Sequence, residues 1–449
     1  MSTLQHAFWD EDCAEMLSDA RLLAAMARFE AALARASALA GVVPPAAAEA
    51  IAGVSVGAEF DAAALARAAR RAGTLAIPFV KRFTEQVAAV SPEAARYVHF
   101  GATSQDVIDS GVVLCLGPAV ERVLTLSGRL GDAAAAVARR HARTPMAART
   151  LLQPAVPVPF GWKSAVWLSM LARSHARMRT AAREASVLQF GGAGGTLSAY
   201  GDKGDAIAQT LAAELGLSRP AITWHSARDG FARLGAETAI LAGAAGKIAR
   251  DVSLLMQPEV GEASEPAGDG RGGSSSMPHK RNPVGCLAAL EAAQRVPALA
   301  ATLLAQLSPE HERGIGQWQS QWFTLRDLLC SAASALAAMA EVLEGLQVDE
   351  KAMRANLERS RGLVYSENVS LHLSRTLGKQ AAHALTEKLC QIAVREDKTL
   401  AEVLRADPQA SGAADANALA QLFQPENCFG AAAAMIERAL ADWSQSSNG

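Results

Sequence analysis

The chain has 449 residues, a formal net charge of −2 and a composition that is 50% hydrophobic but only 5% aromatic. Its length exceeds what one hydrophobic core usually organises, so we expect two or three domains, or one extended domain completed by partner chains. The near-neutral charge and the lack of a long basic block exclude nucleic acids and anionic membrane surfaces as expected partners.

The N-terminal part of the chain is predicted to be helical. Apolar residues recur at helical spacing from Ala14 to Ala40, and Pro44-Pro45 ends the pattern. Much of the apolar content is alanine, which favours helices over strands. Further helices are predicted up to about Tyr97.

The first residues and the hydropathy pattern predict a cytoplasmic location. Residues 1–12 lack the basic-then-apolar order of a signal peptide. No apolar run approaches the roughly 20 residues that span a bilayer, so no membrane partner is expected.

Long helices are predicted in the middle of the chain. The polar stretch from His99 to Asp106 has the composition of a loop that leads into a helix. Long amphipathic patterns then cover residues 107–141 (interrupted only at Gly117-Pro118), 226–256, 284–307 (with a kink expected at Pro297) and 325–346. Helices this long and rich in alanine and leucine predict a bundle that also packs against other subunits.

Two central segments and the C-terminal part depart from this pattern. Residues 150–160 contain three prolines and are predicted to be extended or turning, and residues 189–204 contain six glycines and are predicted to be irregular. Near Val348 the sequence shifts to shorter, more charged helices. We therefore predict an N-terminal domain over 1–106, a central bundle over 107–347 and a small C-terminal domain over 348–449.

The six cysteines are far apart and lack the close pairs of zinc sites and redox motifs. We expect them to be reduced and mostly buried. No motif calls for a metal, a nucleotide or a flavin, so no metal and no cofactor is predicted.

The most informative segment is a glycine- and serine-rich loop over residues 268–285. Four glycines within six positions precede the three serines Ser274 to Ser276, and Pro278 and Pro283 stiffen the exit. A mobile approach with a stiff exit suits a lid over an active site.

The order Ser-Ser-x-Met-Pro-x-Lys-x-Asn-Pro, beginning at Ser274, resembles the signature of the fumarase/aspartase superfamily. Residues 99–109 and 149–163 resemble two further conserved segments of that superfamily, in the expected order. The resemblance implies an all-α fold with a long central helix bundle flanked by smaller N- and C-terminal helical domains. It also implies a homotetramer whose active sites combine segments from different subunits.

The resemblance assigns roles within the serine-rich loop. It implies that Ser274 exchanges the proton at the carbon next to a substrate carboxylate, through a carbanion held as an aci-carboxylate. A serine oxyanion needs fixed donors, for which Gly272, Gly273 and Lys280 are candidates. Lys280 and Asn282 are expected to hold the carboxylate. Ser275 and Met277, from the same motif, are also expected to contact the substrate.

The other two segments supply further candidates. Thr103 and Ser104 match hydroxyls that donate to substrate carboxylates, and His99 matches a histidine at the entrance of the same loop. Asp106 is expected to cap the following helix, where an acidic side chain suits the helix dipole. Gln153 matches a substrate-binding glutamine in the second segment.

Two departures from the adenylosuccinate lyases narrow the prediction. Those enzymes carry a catalytic histidine where this chain has Leu151, and their Arg-His-Asp segment is replaced around residues 75–77. A reaction without a dedicated acid for the leaving group fits the cycloisomerase branch, which the chain also resembles at residues 189–197, 224–229, 246–252 and 311–318. His225 and Arg313, from these stretches, are predicted to contact the substrate.

The resemblance to this branch implies an intramolecular addition in the β-ketoadipate (protocatechuate) route of aromatic catabolism. One carboxylate of the tricarboxylate 3-carboxy-cis,cis-muconate adds across a double bond, another stabilises the negative charge, and Ser274 delivers the proton that completes 4-carboxymuconolactone. The alternatives are an adenylosuccinate- or argininosuccinate-type lyase, a sulfomuconate cycloisomerase and, more distantly, a non-catalytic crystallin-like protein.

Overall fold

The computed structural model describes residues 3–268, 270–412 and 416–448, and its N-terminal part is helical as predicted. Side chains define several helix starts: Asp10, Ser18 and Asp61 each accept a hydrogen bond from a backbone N–H in the first turn of the helix that follows. The helices are α1 (Thr3–His6), α2 (Glu11–Met16), α3 (Asp19–Leu39), α4 (Pro45–Val56), α5 (Ala62–Ala72) and α6 (Ala76–Val90).

Five helices of more than twenty residues follow: four confirm the predicted long helices, and the one over residues 160–185 was not predicted. They are α7 (Ser104–Arg140), α8 (Phe160–Ala185), α10 (Asp229–Leu255), α11 (Val284–Leu304) and α12 (Gln317–Glu344); the shorter α9 (Gly204–Leu215) lies between α8 and α10. Pro118 lies within α7 and Pro297 within α11, so neither proline ends its helix. Helix α12 begins eight residues before the predicted start at residue 325, and its first turns carry Trp318 and Trp322, four residues apart, which extend the apolar pattern towards the N-terminus.

Among the described helices, α11 and α12 are long and apolar enough to cross a membrane by length and composition alone. The expectation that no apolar run approaches the length of a membrane span therefore does not hold for α11 and α12. The most apolar stretch of α12 is 67% buried within the chain, as in the core helix of a globular protein, whereas that of α11 is only 28% buried.

The proline-rich segment is extended, as predicted. Strands β1 (Pro145–Thr150) and β2 (Gln153–Pro159) form an antiparallel hairpin in which Thr150 pairs with Gln153. Its two-residue turn consists of Leu151 and Leu152, both with positive φ, 51° and 64°. Two short strands, β3 (Ala263–Ser264) and β4 (Gln347–Val348), pair beyond it.

The C-terminal part consists of shorter helices, which confirms the shift predicted near Val348. They are α13 (Glu350–Glu358), α14 (Ser366–Leu377), α15 (Lys379–Arg395), α16 (Leu400–Ala406), α17 (Pro408–Ser411), α18 (Ala416–Gln421) and α19 (Ala432–Asn448). Buried residues of α14, α15 and α16, including Val369, Leu389 and Leu404, form a core of their own.

The chain divides into two compact units, each assembled from three separate stretches. The first, called unit 1 below, comprises residues 1–126, 174–243 and 291–337, and unit 2 comprises residues 127–173, 244–290 and 338–449. In unit 1, Phe79 and Phe83 stack within the core. The three consecutive domains expected from the sequence stay a prediction. All six cysteines are free and four of them are buried, as predicted.

Candidate active site

In unit 1, His99 is held by a buried glutamate on α3. The carboxylate of Glu30, which is 1% exposed, accepts from the backbone N–H of His99 at 2.9 Å and lies 2.6 Å from its Nδ1. Burial lowers the pKa of His99, but the charge and hydrogen bond of Glu30, together with the charge of Asp106, outweigh it and raise the pKa above its ordinary 6.5. The ring is therefore biased towards the cationic form.

Thr103 and Arg313, two predicted substrate contacts, lie together in unit 1. Arg313 donates from Nη1 to Thr103 Oγ1 at 3.1 Å and from Nη2 to the carbonyl of Ala193 at 3.3 Å. Its Nε is buried without a partner. Ser104, the first residue of α7, is half-buried beside Thr103. The guanidinium thus bridges the loop before α7 (residues 99–103, called the first signature loop below) and the segment over residues 189–204 (called the glycine-rich segment below).

Asp106 does more than the predicted capping. Its carboxylate accepts from the N–H of Thr103, just before α7, which is a capping interaction. It also lies 2.7 Å from Nε2 of His225 and accepts from Gly191 and Gly192. His225 is only 4% exposed and lies beside Gly191, so it supports the glycine-rich segment; its predicted contact with substrate stays a prediction.

In unit 2, Ser274 is fixed by the backbone of its own loop. Its Oγ accepts from the N–H of Met277 at 3.1 Å and of Ser276 at 3.4 Å. Two backbone donors aimed at one oxygen stabilise negative charge on that oxygen. The donors expected from sequence were Gly272, Gly273 and Lys280; in the structure, the backbone N–H groups of Ser276 and Met277 donate to Ser274 Oγ, because the chain turns back over Ser274 after it.

The remaining loop residues close the turn. The backbone N–H of Asn282 donates to the carbonyl of Gly272 at 2.8 Å, and its side-chain amide donates to the carbonyl of Gly273 at 3.3 Å. At Gly272, where φ is +70°, a Cβ would lie 2.5 Å from the oxygen of Asn282, so only glycine fits. Lys280, Met277 and Ser275 project from the exposed side of the loop.

A buried carboxylate anchors this loop to α11. Glu265, 2% exposed, accepts from the N–H groups of Gly285 and Cys286 in the first turn of α11, at 3.1 and 2.8 Å. The negative charge is favourable at a helix N-terminus. Arg281 donates to the carbonyl of Glu265 at 2.9 Å, so both ends of the loop are tied to one residue.

The second signature segment forms the β1–β2 hairpin. Arg149 pairs with both carboxylate oxygens of the buried Glu262, at 2.8 and 2.6 Å. Gln153 is exposed beside the turn, and Leu151 is 97% exposed. Leu151, at the position that carries a histidine in adenylosuccinate lyases, therefore exposes an apolar side chain on the surface of unit 2.

Lys163, in the first turns of α8, is a further basic residue of unit 2. Burial lowers the pKa of its ammonium group, and the charges of Lys247 and Arg149 lower the pKa further, against the opposing effects of Asp251 and Glu262. The Asp251 carboxylate accepts hydrogen bonds from Lys247 Nζ at 2.5 Å and from the indole N–H of Trp167 at 2.8 Å.

Sequence reasoning missed the buried charges that support these residues, namely Glu30, Glu262, Glu265, Asp109 and Arg228. One signal was present: Glu30 falls between Phe29 and Ala31 on the buried face of α3, where an ionisable residue requires a partner. Within the described residues, no group of three or more His, Cys, Asp or Glu side chains is arranged to hold a metal ion.

Comparisons with known proteins show the family of the chain. Residues 2–298 match the family model described as Lyase, and residues 362–439 match that described as Adenylosuccinate lyase C-terminus. The chain is 49% identical to a 3-carboxy-cis,cis-muconate cycloisomerase of Bradyrhizobium diazoefficiens, over 95% of this chain and 97% of that protein. It is also 42% identical to a nitrosuccinate lyase of Streptomyces davaonensis, over 94% and 91% of the two chains.

Among solved structures, the 3-carboxy-cis,cis-muconate lactonizing enzyme from Pseudomonas putida superposes with a TM-score of 0.93. It shares 41% identity, and the alignment covers 99% of both chains. The all-α architecture predicted from the signature segments is thereby confirmed.

Proposed function

The chain belongs to the lyase family of the fumarase/aspartase superfamily, and from this premise we propose that it is a 3-carboxy-cis,cis-muconate cycloisomerase. The observation that carries the proposal is the serine-rich loop, in which two backbone N–H groups converge on Ser274 Oγ. The extensive similarity to cycloisomerases favours this activity over the other activities of the superfamily.

The proposed step is the addition of one substrate carboxylate oxygen across a conjugated double bond. The electron pair moves to the carbon next to a second carboxylate and forms an aci-carboxylate, which Lys280 and Asn282 stabilise. The Ser274 hydroxyl then gives its proton to that carbon, and the serine oxyanion, held by the amides of Ser276 and Met277, regains a proton from solvent. A trianion becomes a lactone with two carboxylates, so each turnover takes up one proton.

The nucleophile is a carboxylate of the substrate itself, so no acid for a departing group is needed and none is proposed. This agrees with Leu151 in place of the catalytic histidine of adenylosuccinate lyases. His99, Thr103, Ser104 and Arg313 are proposed to bind the remaining carboxylates, with Gln153, Ser275 and Met277 completing the site. Joining both reacting groups in one molecule removes the entropy loss of a second substrate.

We further propose that the enzyme is a cytoplasmic homotetramer in which segments from different subunits complete each active site. The poorly covered apolar helix α11, only 28% buried in its most apolar stretch, supports association of several copies.

The decisive experiment mixes the purified enzyme with 3-carboxy-cis,cis-muconate and follows ultraviolet absorbance and proton uptake together. We expect conjugation to be lost with uptake of one proton per molecule. Ser274→Ala should lower kcat by about 10³-fold or more with an unchanged circular dichroism spectrum, whereas the neighbouring Ser276→Ala, which keeps its backbone N–H, should retain most activity. Turnover of nitrosuccinate, argininosuccinate or adenylosuccinate but not of carboxymuconate would replace this function with another of the family.

A further inference from the structure

The carboxylate of Asp106 is a heavily hydrogen-bonded group of unit 1 that the proposed chemistry does not use. It is completely buried and faces four donors. Oδ1 accepts from the N–H of Gly191 at 3.0 Å and lies 2.7 Å from His225 Nε2, while Oδ2 accepts from the N–H groups of Gly192 and Thr103 at 2.9 and 3.0 Å. Both oxygens are thus saturated by fixed donors.

The three backbone donors, Thr103, Gly191 and Gly192, belong to two separate chain segments. Thr103 ends the first signature loop, and Gly191 and Gly192 begin the glycine-rich segment about ninety residues later. At Gly192 φ is +70° and a Cβ would lie 2.9 Å from the carbonyl of Gly101, so the two segments approach as closely as glycine permits. Asp106 therefore sets the distance between their backbones.

His225 makes the fourth contact of the Asp106 carboxylate. Its Nε2 faces Asp106, and its Nδ1 lies 3.4 Å from Thr223 Oγ1, whose own proton is donated to Gln189 Oε1 at 2.9 Å. The contact with Nε2 completes the set of four contacts around the Asp106 carboxylate.

A second buried ion pair makes this support rigid. Arg228 and Asp109, 3% and 0% exposed, form a two-point contact at 2.6 and 3.1 Å. Gln105 donates from one nitrogen both to Asp109 and to the carbonyl of His225, at 3.1 and 2.9 Å. The backbone of His225 is thus fixed independently of its ring.

Arg313 bridges the same two segments at their outer side. Its Nη1 meets Thr103 Oγ1 and its Nη2 meets the carbonyl of Ala193, next to Gly192. The direction of the guanidinium therefore depends on the distance that Asp106 sets between the two segments.

We propose that Asp106, supported by His225, is a positioning residue that fixes the two segments and thereby directs Arg313 and Thr103 at an anionic group of the substrate. The proposal rests on the proposed function in that the ligand of Arg313 is a carboxylate of that substrate. Asp106 itself does not touch substrate. Loss of a contact that binds the substrate and the transition state equally raises KM and leaves kcat nearly unchanged.

Asp106→Asn tests the proposal with almost no change in shape. The new NH2 group faces N–H donors in place of an acceptor. We expect KM for carboxymuconate to rise about 10-fold or more while kcat falls less than about 3-fold. Arg313→Ala should raise KM similarly, and the double variant should be no worse than the single ones, because Asp106 acts through Arg313. Additive effects of the two substitutions would overturn the proposal.

Asp61→Asn is the matched control, because Asp61 also accepts from a first-turn N–H but caps α5 and has no link to Arg313; the KM of this variant should equal that of the wild type. If Asp106→Asn does not fold, His225→Gln, which keeps one donor, should give a smaller KM change in the same direction. A crystal structure of either folded variant in which Arg313 still bridges Thr103 and Ala193 as in the wild type refutes the positioning role, even if the enzyme acts on another substrate.

Discussion

His99 combines a strained backbone with a bound ring. Its φ is 57°, a region in which a side chain other than glycine is disfavoured. Glu30 compensates by accepting from both the backbone N–H and the ring of the same residue. One buried carboxylate therefore fixes the conformation and the charge of a candidate substrate contact at once.

This coupling predicts how stability responds to pH. The folded pKa of His99 is raised above its ordinary 6.5, so the stabilisation is fully present below that value and is lost as pH rises through the raised folded pKa. Glu30→Gln should lower the free energy of unfolding by about 1–3 kcal/mol near pH ~6, and the difference from wild type should shrink towards pH ~9. Urea denaturation at fixed protein concentration measures both.

Glu49→Gln, an exposed glutamate on α4, serves as the control and should leave the unfolding free energy unchanged. A difference between Glu30→Gln and wild type that stays constant over the whole pH range would show that Glu30 acts by packing alone and does not pair with a protonated His99.

At the scale of elements, the β1–β2 hairpin carries unrelieved strain at its tip. Leu151 and Leu152 both have positive φ and are 97% and 76% exposed. Turns of this kind favour Asn-Gly, and each left-handed non-glycine residue costs about 1–2 kcal/mol. The double substitution Leu151→Asn with Leu152→Gly should therefore raise the free energy of unfolding by about 1–2 kcal/mol, as measured by thermal and urea unfolding.

The double variant Leu151→Ala with Leu152→Ala separates strain from exposure. It removes the apolar surface but keeps a Cβ at both positive-φ positions, so it should not be stabilised. Equal stabilisation of the two double variants would contradict the strain argument. Activity of the Asn-Gly variant then reports whether the leucines themselves matter to the reaction.

The same hairpin shows what the sequence reveals and what it hides. Three prolines indicate the extended segment, because proline removes helix donors and fixes φ. Nothing in two leucines indicates the turn between the strands, since leucine is not a turn residue. Likewise the motif order identifies Ser274, but the two amides on its Oγ depend on the path of the backbone after Ser274, which residue types alone do not determine.

The buried network of unit 1 was the least predictable part of the candidate site. Asp106, His225 and Gln189 are far apart along the chain, and their contacts arise only when three segments meet. A polar residue in an irregular segment looks the same in the sequence whether it binds substrate or supports a loop. The motif around His225 therefore led to a predicted substrate contact but did not indicate its buried contact with Asp106.

At the scale of the whole molecule, α11 presents a face that a single chain leaves uncovered. Exposed residues recur along it at helical spacing, at Leu287, Gln294, Ala298 and Ala301. The small side chains of Ala298 and Ala301 in this row allow the backbone of another helix to approach closely. Together with the apolar composition of α11, this row predicts that α11 is covered by another copy of the chain in the proposed tetramer.

Ala298→Glu tests that association. A carboxylate on a face where another helix packs closely would be desolvated without a partner, which is costly, so the variant should sediment and elute as species smaller than four times the 46.8 kDa chain mass. Its activity should fall in parallel, because the proposed sites are completed by other subunits. Ala68→Glu, an equally exposed alanine on α5, is the matched control and should remain tetrameric and active. Light scattering coupled to gel filtration reads the mass directly; a tetrameric, fully active Ala298→Glu enzyme would remove α11 from the interface.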